Sequence, residues 1–541
     1  MLSAQPPKPP SADPTDPPGP PVALGSDLGQ TSGAAVVTGG LWSVLGRTMP
    51  QIQLLVLSVV AARFLGPDGM GRQSLIAFVG LTTVMVATAG FPSSVSRFVG
   101  ELLGAREGGL AVGLYRWTWR VETIAAALAA ASLVALGLLG SEPALAWVLV
   151  GVASGLAVLQ SVPQALLSGA QRWRDATIVG VVVGVSSVPA TIGVLALGGG
   201  ITGFFAVEVV AVAINLAWTS HLARGVTARL PAPERGSPEL RRRFLGFAGM
   251  STVNVLIQYV VWTRSELLVL NHVSTDAEIA LYSIAFATVF GLARIPEAIA
   301  RVTMPAVATL IGAGELHRVR SGYWRAMRLL LFITPPVVAG AAVTGPALLS
   351  LAYGDEFSGA GNVLLILLVP LLVLPLITTS NALLFAFARM RFLLTVGILA
   401  TIVDVALAVL LIPHFDAVGA AIANAVAQLT AGIPCLWLAA RLNAPVDIAW
   451  RPLVRGLLLA LAVAGVAGAT LLGLGDGLAG ALGAVLAGLT LFVLLAPVLR
   501  PLAPSDAAWL AHALEGEGLL RRTLVRAFRR LSPPEVAGEG S

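Results

Sequence analysis

The sequence predicts an all-α polytopic membrane protein with about fourteen transmembrane helices. Of its 541 residues, 56% are hydrophobic and 11% are charged. The mean hydropathy of +0.86 is higher than a soluble globular domain can hide in its core. Apolar segments long enough to cross a bilayer, about 20 residues each, recur from Leu41 onward, and the segments between them alternate between arginine-rich and arginine-poor.

Fourteen apolar segments define the predicted spans. They lie at about 41–64, 73–97, 117–139, 145–168, 176–197, 201–222, 245–271, 281–304, 327–350, 362–387, 392–412, 417–440, 455–474 and 478–499. Residues 1–33 precede them and form a proline-rich run with little to bury, so a disordered cytoplasmic tail is predicted there.

The arginine distribution predicts the orientation. The arginine-rich connections lie near residues 106–116, 172–174, 224–243, 318–325, 389–391 and 441–451. Because cytoplasmic loops are enriched in Lys and Arg, these connections and both termini are predicted to be cytoplasmic. Three arginines, Arg63, Arg72 and Arg264, fall on the opposite side of this topology.

Several function classes find no support in the sequence. It contains no phosphate-binding loop and no hydrolase or metalloprotease motif, and its connecting loops are too short for a catalytic domain. The five histidines are scattered, and Cys435 is the only cysteine. We therefore predict no enzyme, no catalytic residue, no metal site and no nucleic-acid partner. The pI of 10.2 is explained by arginines that flank the spans and act as topology signals.

An internal repeat predicts two similar halves. The stretch ALLSGAQRWR at residues 165–174 returns as ALLFAFARMR at residues 382–391, an offset of 217. The triplet IAF at residue 76 recurs at residue 284, and the pattern PxxxxR at residue 92 recurs at residue 296, offsets of 208 and 204. Each half holds six spans. Because six is an even number, both halves begin on the same side of the membrane and cross it in the same direction, as in parallel-repeat transporters.

The repeat divides the chain into named parts. We predict a tail at 1–33, an N-lobe at 34–222 with spans 1–6, a basic cytoplasmic linker at 223–243, a C-lobe at 244–441 with spans 7–12, two extra spans at 442–500, and a cytoplasmic tail at 501–541. In the last tail, residues 519–531 place leucines and a phenylalanine on one helical face and arginines on the other. This pattern predicts a helix on an anionic cytoplasmic leaflet, with partner binding as the alternative.

Four motifs carry a resemblance to a known superfamily. They are ARFLGPDGMG at 62–71, RSELLVLNHVSTDAEIALYSIAFA at 264–287, LAYGDEFSGAGNVLLILL at 351–368 and LLIPHFDAVGAAIANAVAQ at 410–428. Over about residues 41–441 the chain resembles the polysaccharide exporters and oligosaccharide flippases of the multidrug/oligosaccharidyl-lipid/polysaccharide (MOP) superfamily, which are related to the MATE transporters.

The resemblance implies a fold and a function. Two six-helix lobes would form a V that opens alternately to either side of the bacterial cytoplasmic (inner) membrane. The substrate would be a polyprenyl-diphosphate-linked oligosaccharide, a polysaccharide repeat unit moved outward, and polysaccharide-assembly machinery would be a partner. Lipid II flippases carry arginines midway through span 1, whereas residues 49–60 contain none, which favours a general repeat-unit exporter. A cation-coupled multidrug exporter is the first alternative, and a non-transporting scaffold is the second.

Polar stripes on spans 1 and 7 predict where the substrate binds. The stripe residues are Arg47 and Gln51 on span 1, and Asn254 and Gln258 on span 7 with Arg264 and Glu266 beside them. Parallel-repeat transporters place equivalent helices together, so the stripes are expected to face each other across a cleft. Arginine suits a diphosphate because its planar fork donates two parallel hydrogen bonds. A structural contact between the neighbouring charges is the alternative for Arg264 and Glu266.

Further charged residues lie in or near the spans. Arg97 and Arg301 are candidates for binding a diphosphate, with anchoring at the membrane surface as the alternative because both end their spans. Arg294 lies deeper, with Glu297 three residues on, so an internal ion pair is its alternative. Glu122, close to the start of span 3, is expected at the membrane interface.

A second group of residues predicts energy coupling. Asp404 lies midway through span 11, and Asn424 and Gln428 lie one turn apart on span 12. An ionisable group at this depth is a functional hypothesis by default. At offsets of 217 and 216, Asp404 corresponds to Ser187 and Asn424 to Glu208. We predict that Asp404 and Glu208 bind H⁺ or Na⁺, with interhelical hydrogen bonding as the alternative. No other cofactor is expected.

Overall fold

The computed structural model describes residues 33–88, 90–262, 266–293, 316–387, 389–443 and 450–499. The predictions for residues 1–32 and 519–531 lie outside these ranges, and so do those for Arg264, Arg294 and Arg301. For Arg47, Gln51, Asn254 and Gln258 the structure gives a helical backbone only.

Fifteen α-helices occupy the described ranges. They are α1 Gly33–Thr88, α2 Phe91–Gly104, α3 Gly108–Leu138, α4 Ala144–Gly169, α5 Trp173–Ala196, α6 Gly200–Thr227, α7 Pro238–Trp262, α8 Glu266–Val273, α9 Asp276–Ala293, α10 Leu316–Tyr353, α11 Ala360–Leu371, α12 Leu374–Ala386, α13 Met390–Leu442, α14 Trp450–Leu474 and α15 Leu478–Leu499. A 3₁₀ helix, Asp355–Phe357, joins α10 to α11.

Two of the helices are broken by a sharp bend. Residues inside α1 and α13 leave helical geometry at Gly66 (φ 69°, ψ −178°) and at Asp416 (φ 48°, ψ −128°). Glycine adopts a positive φ without penalty, whereas the carboxylate of Asp416 is held by a hydrogen bond from Ser274 Oγ at 2.5 Å. Each bend divides a long helix into two arms.

The composition of the helices confirms a polytopic all-α membrane protein. Within the described ranges, ten helical segments are long and apolar enough to cross a membrane, or eleven if the bent pair α11 and α12 is one span. Helix α13 alone has 53 residues. At 1.5 Å per residue it would be about 80 Å long, more than twice the roughly 30 Å hydrocarbon core, so its two arms suit separate spans. The total of fourteen spans stays a prediction.

Small residues let the N-lobe helices pack closely. In α4, Gly151 and Gly155 face the backbone of Ala130 and Ala126 in α3, at distances that leave little room for a side chain. Close approach of this kind is the main source of helix association in lipid, where no hydrophobic effect pulls helices together. The last two helices pack differently, because α14 and α15 pack against α10 through a core that includes Phe332.

The largest buried core joins the two halves of the chain. Ala61, Ala62 and Met70 from the bend region of α1 pack in one cluster with Leu267 and Leu270 of α8. The bend of α1 is therefore embedded among C-lobe helices. We call the side of the molecule that carries the bends of α1 and α13 the bend face, and the opposite side, which carries the 223–243 linker, the linker face.

Reporter fusions test the predicted topology. A reporter fused after Gly477 should lie outside the cytoplasm, while fusions after Arg441 or Leu531 should remain cytoplasmic, because the arginine asymmetry fixes the orientation of both ends. Paired reporters, one active only in the cytoplasm and one active only outside it, provide the measurement. An external position for the Arg441 fusion would contradict the fourteen-span arrangement.

Candidate functional site

Four buried or half-buried polar residues of the C-lobe form one hydrogen-bonded group, and a fifth, Asp404, interacts with it electrostatically. Tyr282 of α9 donates its hydroxyl to Glu266 Oε2 of α8 at 2.9 Å, and Asn424 Nδ2 of α13 donates to Glu266 Oε1 at 2.8 Å. Gln428 Nε2 donates to Asn424 Oδ1 at 2.7 Å. Asp404, on the first arm of α13, interacts electrostatically with Glu266. We call these five residues the acid cluster.

The acid cluster is shielded from solvent. Glu266 and Asp404 are each 1% exposed, and Tyr282 and Asn424 are fully buried. An ionised carboxylate in such surroundings is costly unless hydrogen bonds or a cation compensate it, and two adjacent carboxylates also repel each other. Uptake of a proton or a small cation removes the repulsion. Binding of H⁺ or a monovalent cation by this arrangement stays a prediction.

The sequence around Asn424 explains how the arms of α13 can approach α8. The segment that begins the second arm is AVGAAIANA, and its residues Ala417, Ala420, Ala421 and Ala423 are completely buried. Alanine and glycine allow close contact between helix backbones. A short amide such as Asn424 can then reach a carboxylate on the neighbouring helix.

The structure groups two sets of predicted residues that the sequence kept apart. Asn424 and Gln428 hydrogen-bond to each other, and Asp404 lies in the same cluster. Glu266, assigned from the sequence to the substrate stripe, belongs to this cluster as well. Glu208 is half-buried on α6, outside these hydrogen bonds. The roles of all five remain predictions.

Tyr282 is the member that sequence reasoning missed. It lies in the apolar run ALYSIAF, one of only five tyrosines in the chain, and nothing in the local pattern marks its partner. The available signal was general: a buried tyrosine usually hydrogen-bonds through its hydroxyl. Its completely buried ring places the hydroxyl at Glu266.

The matching place in the N-lobe has no acid pair. Ser187, which corresponds to Asp404 at the offset of 217, accepts a hydrogen bond from Gln53 Nε2 at 3.0 Å. This contact joins α1 to α5 through two neutral side chains. The two halves of the repeat therefore differ in charge at equivalent positions.

Glu122 is packed inside the protein and is 1% exposed. Among the described residues its Oε2 has no hydrogen-bond partner. Helix α3 begins at Gly108, well before the apolar segment that defined span 3, so Glu122 lies near the middle of a 31-residue helix. Its position at the membrane interface stays a prediction.

The linker face also brings the two lobes together. The backbone N–H of Gly90 donates to Thr252 Oγ1 at 2.8 Å, and the hydroxyls of Ser93 and Ser251 lie 2.8 Å apart. The predicted substrate residue Arg97 is exposed, and its guanidinium lies 4.4 Å from the ring centroid of Phe247 on α7. Such a cation–π contact contributes about 0.5–1 kcal/mol at an exposed site.

A cavity of about 510 Å³ lies between α1, α3 and Leu268 of α8. The hydroxyls of Thr82, Thr83 and Ser132 that line it donate to carbonyls of their own helices. Its walls consequently present mainly apolar surface. They suit a hydrocarbon chain better than a charged headgroup.

Residues 60–362 match the family described as polysaccharide biosynthesis protein, a stretch of 303 of the 541 residues. The chain belongs to this family. No curated protein matches it. The resemblance inferred from the sequence motifs is thereby confirmed at the level of the family.

Solved structures show which fold this polysaccharide biosynthesis protein has. The lipid II flippase MurJ, in an inward closed conformation, is similar with a TM-score of 0.63 and 11% identity, over 86% of this chain and 98% of that one. A multidrug resistance MATE family transporter of the MOP superfamily, facing inward, gives a TM-score of 0.60 and 16% identity, over 75% and 100%. A MOP superfamily transporter from Pyrococcus furiosus gives 0.53 and 15%, over 76% and 96%. At these identities the likeness establishes a MATE/MurJ-like fold.

A substitution at Asn424 tests the packing of the acid cluster. Asn424→Ala removes a hydrogen bond to the buried Glu266, and leaving a buried group unsatisfied costs about 1–3 kcal/mol. The variant should therefore unfold at a clearly lower temperature than the parent protein in the same detergent. Asn271→Ala, at an exposed asparagine of α8, is the control. Equal melting temperatures for Asn424→Ala and Asn271→Ala would contradict the hydrogen bond's contribution.

Proposed function

We propose that the protein moves a polyprenyl-diphosphate-linked oligosaccharide, a polysaccharide repeat unit, outward across the cytoplasmic membrane by alternating access. The observation that carries the proposal is membership of the polysaccharide biosynthesis protein family, combined with the MATE/MurJ-like fold. In this proposal both termini are cytoplasmic, anionic lipids surround the protein, and polysaccharide-assembly machinery receives the product.

The physical problem explains the need for such a protein. A diphosphate and the hydroxyls of a sugar cannot enter hydrocarbon unaided, because every unsatisfied polar group costs several kcal/mol. A carrier must offer a polar path that never opens to both sides at once. Contacts between the lobes on the linker face and on the bend face, made by Gly90 and by the α1 bend, suit a molecule that closes each end in turn.

The acid cluster supports a proposal for energy coupling. Glu266 and Asp404 would bind H⁺ or Na⁺ between them, while Tyr282 and Asn424 hold Glu266 in place. Because the cluster joins α8, α9 and both arms of α13, a change of its charge alters how these C-lobe helices pack. This would link ion binding to movement of the lobes, since a bound cation stabilises whichever arrangement keeps the carboxyls together.

The substrate would be held elsewhere. Arg47, Gln51, Asn254 and Gln258 remain the proposed lining of the cleft, with Arg264, Arg294 and Arg301 as donors to the diphosphate. Arg97 is proposed as an entry contact at the linker face, where its exposed guanidinium lies over Phe247. For Glu266 we propose a coupling role, because hydrogen bonds from Tyr282 and Asn424 occupy both its oxygens.

A second candidate function is cation-coupled export of small molecules. The observation in its favour is the similarity to the MATE family transporter, over 75% of this chain and 100% of that one. The two candidates share the coupling site and differ in the substrate. Whole-cell experiments separate them.

Deletion of the gene tests the substrate class. The proposed function predicts that undecaprenyl-linked repeat units accumulate inside the deletion strain, because synthesis continues while export stops. Extraction of lipid-linked sugars and mass spectrometry measure this, and the gene supplied in trans should reverse it. Drug hypersensitivity without accumulation would reject the proposal in favour of the small-molecule exporter.

Neutral substitutions in the acid cluster test the coupling. Asp404→Asn and Glu266→Gln should each reduce transport at least tenfold and abolish its dependence on pH or Na⁺, because an amide cannot exchange the cation. Transport of the lipid-linked substrate into inverted vesicles under imposed H⁺ or Na⁺ gradients provides the measurement.

The controls for this test lie on the surface. Asp68→Asn and Glu356→Gln make the same chemical change at exposed positions and should leave transport unaltered. If Asp404→Asn transports normally with unchanged ion dependence, Asp404 has no part in coupling.

A further inference from the structure

Two of the three arginines that depart from the predicted orientation, Arg63 and Arg72, lie at the bend of α1. The guanidinium of Arg63 donates from Nε to the carbonyl oxygen of Ala352 at 2.7 Å and from Nη2 to the carbonyl oxygen of Leu351. These carbonyls belong to the last turn of α10. Carbonyls at a helix C-terminus lack intrahelical partners and carry partial negative charge, so a cation stabilises them.

Arg72 makes the second connection. Its Nε lies 3.1 Å from Oδ2 of Asp276, and the side chains are 38% and 24% exposed. Asp276 is the first residue of α9. The ion pair therefore joins the N-lobe to the same helix that carries Tyr282.

The backbones meet at the same place. A Cβ atom added to Gly71 would overlap the carbonyl oxygen of Asp276, so only glycine permits this approach. Nearby, the hydroxyls of Ser58 and Tyr353 lie 2.7 Å apart. Four contacts thus connect one bend of the N-lobe to the ends of two C-lobe helices, α9 and α10.

We propose that the α1 bend is a latch that holds the two lobes together on the bend face and opens reversibly. The latch consists of Arg63, Gly71 and Arg72 on the N-lobe, with Asp276 and the end of α10 on the C-lobe. This inference rests on the proposed alternating access. It accounts for Arg63 and Arg72, whose side chains the topology rule does not explain.

The chemistry of the contacts suits a latch. Arg63 is exposed and the Arg72 pair is half-exposed, so water can replace each protein partner when the lobes part. Exposed ion pairs contribute little individually, so these polar contacts can be exchanged for water, whereas opening also separates the apolar side chains of the bend, such as Met70, from Leu267 and Leu270. The backbones of α1 and α9 nevertheless approach so closely that position 71 must be glycine. This requirement favours one closed arrangement of the two lobes.

Distance measurements between the lobes test the latch. In a background with Cys435→Ser, spin labels are placed at the exposed positions Asp68 and Glu356, one on each lobe. The full-length protein in lipid nanodiscs is studied by double electron–electron resonance. Arg72→Ala or Asp276→Ala should increase the population of long distances about two- to fivefold, the change that loss of one exposed ion pair produces.

Charge reversal sharpens the result. Arg72→Asp should widen the distances further, because it places two carboxylates together, and the double variant Arg72→Asp/Asp276→Arg should restore the parent distribution. Arg172→Ala is the matched control. It removes an ion pair of similar exposure, to Asp175 at 2.5 Å, that lies within the N-lobe, and it should leave the distances unchanged.

A steric variant tests the latch without changing charge. Gly71→Ala should prevent full closure and shift the distribution to long distances, while Gly180→Ala, where an added Cβ meets nothing within 4 Å, should not. Size-exclusion chromatography identifies any variant that is not folded, and the neutral variants suffice if Arg72→Asp fails this check.

Two outcomes overturn the latch. One is a parent-like distribution for Arg72→Ala, Asp276→Ala and Gly71→Ala alike, and the other is an equal response in Arg172→Ala. These distances are measured without substrate, so they do not depend on the proposed function. If the variants change the distances as expected but the deletion strain accumulates no lipid-linked sugar, the latch stands and the proposed function is rejected.

Discussion

Two buried carboxyl groups that interact electrostatically, those of Glu266 and Asp404, are a constraint on the helices around them. Glu266 and Asp404 are withdrawn from water, where neither can be ionised cheaply without a compensating partner. Tyr282 and Asn424 each direct a donor at Glu266, and three helical segments, α8, α9 and the second arm of α13, must keep a fixed spacing for these bonds to form. The C-lobe is therefore organised around a polar centre, and its small residues serve that centre by allowing close packing.

Helix α9 connects this centre to the bend face. Asp276, at its first residue, pairs with Arg72, and Tyr282 lies six residues later, about 9 Å along the axis. Between them, Glu278 accepts a hydrogen bond from the backbone N–H of Ala417 at 3.2 Å, just beyond the bend of α13. A small displacement of α9 would consequently change the contact between the lobes and the hydrogen bonds of Glu266 together. Coupling needs a rigid element of this kind, touching both places.

The sequence could predict the helices, because long apolar runs and arginine alternation are strong signals, and it placed Asp404, Asn424 and Gln428 at similar depth. The sequence could not predict the partners of Glu266. A helical wheel shows which face of a helix a residue lies on, but it does not show which side chains a neighbouring helix places against that face. The packing of α8 against α9 and the second arm of α13 decides that. The burial of Glu122 could not be predicted for a related reason. An apolar segment indicates which residues cross the hydrocarbon, whereas the helix that contains it can be longer and can bury polar residues against other helices.

The two lobes differ at the equivalent positions Asp404 and Ser187, where only the C-lobe has an acid. Gln53 and Ser187 satisfy each other as neutral groups, so their contact does not change with the ions in solution and can act as a fixed joint between α1 and α5. In the C-lobe, Asp404 takes the place of Ser187 and interacts electrostatically with Glu266, so under the proposed coupling the charge of this joint would depend on the ion bound there. A repeat with identical joints would respond equally in both halves. Unequal joints would allow an ion to move one lobe relative to a constant partner.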